Sequence, residues 1–137
     1  LPLKDAKELI DIFENRLDLY ELKEELYYKV LAEIDYLIKK GSCNNNYLIC
    51  AQNLINSFKN ELDLSEFQKS LNQKVPYLIQ KSLKMSLKDN TGFSVRRSQE
   101  LIDKFEKKLD LSEFKEKLKK HTVRLVCERK HLKLVVL

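Results

Sequence analysis

A single pattern occurs three times in this chain and constrains it more than any other feature. Ala6 to Leu26, Ala51 to Leu71 and Ser98 to Leu118 align without a gap on A/S-x-x-L-I-x-x-F-x-x-x-L-D-L-S/Y-E-F/L-x-x-x-L. The copies are offset by 45 and 47 residues, a spacing at which helical arrays recur. In general form they look like α-solenoid repeats, although the motif matches none of the common repeat signatures.

Within each copy the apolar residues fall on one stripe of a helix. Leu9, Ile10, Phe13 and Leu17 lie at i, i+1, i+4 and i+8, as do Leu54, Ile55, Phe58, Leu62 and Leu101, Ile102, Phe105, Leu109; that is the spacing of an amphipathic helix. An Asp-x-x-Glu then follows in each: Asp18/Glu21, Asp63/Glu66, Asp110/Glu113. This reads as a capping box, with Asp as N-cap accepting from the N3 amide and Glu reaching back to the cap amide. Leu17/Leu22, Leu62/Phe67 and Leu109/Phe114 flank it as a hydrophobic staple. The step of five from Leu17 to Leu22 breaks the helical period, so a corner is expected rather than one long helix through the Asp.

The second helix of each copy is longer. The first runs from Leu19 to about Lys40 and stops at Gly41, read as a C′ residue. Leu22, Leu26, Val30, Ile34 and Leu37 line one side of it, and Tyr20, Tyr27 and Leu31 another, as for a helix sandwiched between neighbours. The second runs from Leu64 to about Leu87 with a kink or short break expected at Pro76. The third begins at Leu111 and reaches at least about Arg129. Residues 41–46 and 89–94 are turn-rich linkers. Residues 122–137 remain open between the end of that helix and a β-hairpin around Glu128–His131, because Val123-x-Leu125-x-Cys127 and Leu132-x-Leu134-x-Val136 alternate.

The fold class that follows is all-α: three tandem helical hairpins, about six helices, stacked as a short α-solenoid-like array or compact bundle. They form one domain over 1–137, with repeats at 4–41, 47–88 and 95–131 and a basic tail at 119–137. Two glycines in 137 residues leave no material for phosphate-cradling loops or many tight β-turns, which disfavours a β-sandwich, a P-loop or a dinucleotide fold.

The net charge of +5 is localised: Lys119, Lys120, Arg124, Arg129, Lys130 and Lys133 face only Glu128, while residues 1–118 hold twenty bases and twenty acids. In an array of hairpins the linkers and chain ends share one edge, gathering Lys39, Lys40, Lys84, Lys88, Arg96, Arg97, Lys130 and Lys133. The corners share the other edge, gathering acids such as Asp18, Asp63 and Asp110. Helix dipoles account for much of that separation, but not for Arg96 and Arg97 at a helix start, where positive charge is disfavoured.

No catalytic constellation emerges, so no enzyme is expected. Cys127 and His131 are four apart, but no orienting third group or electropositive pocket accompanies them. Cys43, Cys50 and Cys127 with one histidine lack zinc-site spacing, so neither metal nor cofactor is expected. Tyr20, Tyr27, Tyr28, Tyr36, Tyr47 and Tyr77 are read as packing residues with their hydroxyls at the rim. The candidate interaction residues are Phe93, Arg96, Arg97, Lys119, Lys120, Arg124, Arg129, Lys130 and Lys133.

The expected role is therefore a non-enzymatic protein–protein interaction module or scaffold, part of a larger protein. The alternative is a polyanion-binding module taking nucleic acid or an acidic membrane surface on the basic edge and tail. A small-molecule substrate is not expected. Three cysteines without a CxxC point to a reducing, cytoplasmic setting.

Overall fold

The corners foreseen ahead of the three aspartates are present in the computed structural model, which describes residues 2–86, 92–120 and 122. The helices between them are α1 (Leu3–Phe13), α2 (Tyr20–Lys40), α3 (Asn45–Phe58), α4 (Ser65–Ser86) and α5 (Phe93–Phe105). A sixth, α6, covers 112–120. The described residues are all-helical, with no strand among them. Whether 123–137 is helix or hairpin lies outside the described residues, as do Arg124, Cys127, Arg129, Lys130, His131 and Lys133.

Each corner is built the same way. The first helix ends at Phe13, Phe58 or Phe105, and its carbonyl accepts two amides: Arg16 and Leu17, Glu61 and Leu62, Lys108 and Leu109, at 2.9 to 3.0 Å. The Asp then stands outside the helix and folds an Asx turn, accepting the amide two residues on, from Tyr20, Ser65 or Ser112 at 3.2 Å. The first helical bond of the next element goes to the leucine after the Asp: Lys23 to Leu19, Gln68 to Leu64, Lys115 to Leu111. The expected capping box is thus corrected. Asp precedes the cap and bonds the amide two residues on, and Leu19 occupies the N-cap of α2. Glu21 and Glu66 fall in the first helical turn, where the dipole favours them.

By its contacts the chain divides into two units, one up to Leu71 and one from Asn72 onward. In the first, α2 packs against both α1 and α3. Its core consists of Leu26, Val30, Ile34, Leu37 and Ile38 from α2, Leu48, Ala51, Ile55 and Phe58 from α3, with Leu64 and Leu71. In the second, Val75, Leu78, Ile79 and Leu83 of α4, Leu101, Ile102 and Phe105 of α5, Leu111 and Leu118 are buried. Each fully buried aliphatic or aromatic side chain contributes about 1.5–3 kcal/mol.

Four details depart from the sequence reading. Gly41 is not a left-handed C′ residue; it lies at φ −59, ψ −23. Its missing side chain matters because a Cβ there would meet Leu48 Cδ2 at 2.2 Å. Helix α4 runs through Pro76 without the short break that was one of the two expectations there. Phe93 and Ser94, read as linker, already belong to α5, whose N-cap Gly92 has the positive φ of 76°. Tyr20, Tyr28, Tyr36 and Tyr77 are exposed rather than packed.

Candidate docking face

The three copies of the motif share one pattern but not one environment. Phe58 is 0% exposed and Phe105 2%, whereas their counterpart Phe13 is 43% exposed. Leu101 is 0% exposed, while its counterpart Leu9 is 52% exposed. Helix α1 has no fully buried residue at all. Leu9, Ile12 and Phe13 stand at i, i+3 and i+4 and so share a face of α1. Leu17, Tyr20 and Leu22, at and just past the corner, are also exposed. The stripe and staple read as core in the first copy are therefore corrected: in copy one Leu9, Phe13, Leu17 and Leu22 are exposed and only Ile10 is half-buried.

The composition of that face differs from its counterparts. Ile12 aligns with Ser57 and Lys104, Tyr20 with Ser65 and Ser112, and Tyr28 with Gln73 and Lys120. The first copy is apolar where the other two are polar. An exposed apolar cluster rimmed by charge is the usual mark of a protein-binding surface. In the same unit an open groove is lined by Leu3 of α1, Tyr28, Ala32 and Tyr36 of α2, and Cys50 and Leu54 of α3.

Ion pairs brace the corner beneath this face. Lys23 pairs with Glu14 across the first corner, and Lys115 pairs with Glu106 at the equivalent third corner, 2.8 Å apart. Hydrogen bonding to those carboxylates holds both ammonium groups above the ordinary lysine value. The second copy carries Lys59 and Gln68 at these positions. Gln68 instead exchanges a reciprocal amide pair with Gln52, at 2.8 and 2.9 Å. Lys7, the counterpart of Gln52, pairs with Asp11 at 3.3 Å and Glu61 at 3.1 Å, and its hydrogen bond to Glu61 raises its pKa. Sequence reasoning passed over these polar positions because it sought chemistry rather than corner bracing; the recurrence of Glu14 and Lys23 as Glu106 and Lys115 in the third copy was the available signal.

The second corner and the third also carry a hydroxyl that the first lacks. Ser65 and Ser112 Oγ donate to Asp63 and Asp110 at 2.7 Å, which holds both carboxyls below the ordinary carboxylate value. Tyr20 fills that place in copy one and donates only its amide to Asp18.

Of the interaction residues expected from sequence, Phe93, Arg96, Lys119 and Lys120 are exposed, and Arg97 is half-buried. Gln99, one turn beyond Arg96, lines a small depression with Lys115, Glu116 and Lys119 of α6. Cys43 and Cys50 are free and exposed thiols. Among the described residues no group of three His, Cys, Asp or Glu side chains is placed to hold a metal. No described helix is long and apolar enough to cross a membrane. No protein-family model, curated protein or solved structure matches this chain.

Proposed function

We propose that this chain is a non-enzymatic helical-repeat module that binds another protein through the apolar face of its first hairpin. The observation that carries this reading is the exposure of Leu9, Ile12 and Phe13 while Leu101, Phe58 and Phe105 are buried. Three large apolar side chains on one helical face lose free energy to water, and a partner that covers them recovers about 25 cal/mol per Å² of apolar area. The aromatic Phe13 and Tyr20 are side chains of the sort that anchor interfaces. Ile12→Lys tests it. A partner captured by the wild-type protein in moderate salt should be lost with Ile12→Lys and kept with Lys104→Ile, the reverse exchange in the third copy. Equal capture by all three proteins overturns it.

A second reading rests on exposed Phe93 and Arg96 near the start of α5, where a cation gains nothing from the helix dipole. A polyanion would use those residues with Lys119 and Lys120. Binding would then fall steeply with salt and vanish with Arg96→Glu; a flat salt response removes it.

A further inference from the structure

The proposed docking face is acidic as well as apolar, and its charge belongs to a trend along the chain. Over residues 1–26 there are eight acidic and four basic side chains, a net of −4. The aligned stretch 46–71 carries three acids and two bases, net −1, and 93–118 carries six acids and seven bases, net +1. The trend ends in 119–137, where six bases face one acid for a net of +5. That last stretch is also aliphatic, ending Leu132-Lys-Leu-Val-Val-Leu137. Residues 1–26 thus combine exposed apolar side chains with an acidic sequence, and residues 119–137 combine an aliphatic sequence with a basic one.

We infer that the occupant of the first hairpin's face is a second copy of this chain, joined head to tail through its basic C-terminal end. This deepens the protein-docking reading and rests on it. Charge selects the arrangement. Two first hairpins brought face to face would oppose the −4 of residues 1–26 with another −4, while head to tail sets that −4 against the +5 of residues 119–137. Opposite potentials favour association and like charges suppress the wrong pairing. A head-to-tail contact is heterologous, so a pair keeps an unused face on one copy and an unused tail on the other, and the assembly extends with concentration.

The experiment is sedimentation of the full chain with two variants. Ile12→Lys blocks the face with the residue that the third copy already carries at this position, Lys104. Lys130→Glu with Lys133→Glu blocks the tail. The wild type is expected to show a mass that rises with protein concentration and falls with salt. Each variant alone is expected to associate at least roughly tenfold more weakly. Mixed together they should form a dimer and nothing larger, because only one intact face and one intact tail remain. Circular dichroism matching the wild type checks that each variant is folded.

Two results overturn the inference: a wild type that stays monomeric at every concentration, or a tail variant that still pairs with itself. If the wild type is monomeric but Ile12→Lys still loses a captured protein, the docking reading stands and only the self-association fails. If neither self-association nor capture depends on Ile12, both fail.

Discussion

Gly41→Ala isolates a contact that the sequence conceals, and its cost can be worked from the geometry. The backbone at Gly41 lies in the ordinary helical region, so alanine adds no torsional strain. The added Cβ would stand 2.2 Å from Leu48 Cδ2 and 2.6 Å from its Cγ. Carbon atoms in contact lie about 3.5–4.0 Å apart, so Leu48 must retreat by over ~1 Å. Leu48 is fully buried, and overfilling a packed site costs about 1–3 kcal/mol. The smaller backbone entropy of the unfolded alanine chain offsets about 0.4–1 kcal/mol. The expected net loss is about 1–2 kcal/mol. Urea unfolding at a slope of about 1–3 kcal/mol/M would then show a midpoint lowered by about 0.3–2 M. Leu48→Ala alone should cost about 2–5 kcal/mol. In that background Gly41→Ala should be neutral or stabilising, because the clashing atoms are gone. A single Gly41→Ala variant as stable as the wild type, or equal costs in both backgrounds, refutes the reasoning.

Two further predictions concern the corners and α4. Asp63 and Asp110 have folded pKa values below their unfolded value of about 4, owing to the Ser65 and Ser112 hydroxyls. Their contribution is therefore present at neutral pH and lost as pH falls below about 4 through the depressed values. Ser65→Ala with Ser112→Ala should shrink that acid-side loss in a series of urea midpoints from neutral to acid pH, and an unchanged acid slope counts against the Asx-turn account. Pro76 lies inside an unbroken α4 and lacks the amide that a helix interior uses, a defect of up to about 3 kcal/mol. Pro76→Ala should raise the urea midpoint; a fall would show that packing relies on a bend that proline supplies.

The all-helical class and the three corners were legible in the sequence because both follow from local rules. The period of Leu, Ile and Phe names the buried stripe, and the Asp after each leucine interrupts it. What was not legible depends on neighbours. The Ile and Phe of the same Leu-Ile-x-x-Phe stripe are core in α3 and α5, whereas the stripe is half-open in α1, because burial is decided by which element packs alongside. Gly41 was identified as an end signal, but its role is set by Leu48, seven residues on and in the next helix. The capping box failed by one register: Asp18, Asp63 and Asp110 satisfy an amide two residues ahead, not three. Of the basic residues expected to carry binding, those described are exposed except the half-buried Arg97, while the apolar face of α1 was missed because its motif matches the two copies whose phenylalanines are buried. Ile12 in place of Ser57 and Lys104 was the discriminating sign.

The central claim is that three copies of one motif meet two fates, and truncation of the shared phenylalanine measures this directly. Phe58→Ala and Phe105→Ala each remove a ring at most 2% exposed, and each should cost about 3–5 kcal/mol in urea unfolding. Phe13→Ala removes a ring that is 43% exposed and should cost clearly less than either, while weakening whatever the face binds. A Phe13→Ala loss equal to that of Phe58→Ala would place Phe13 in the core and remove the docking face.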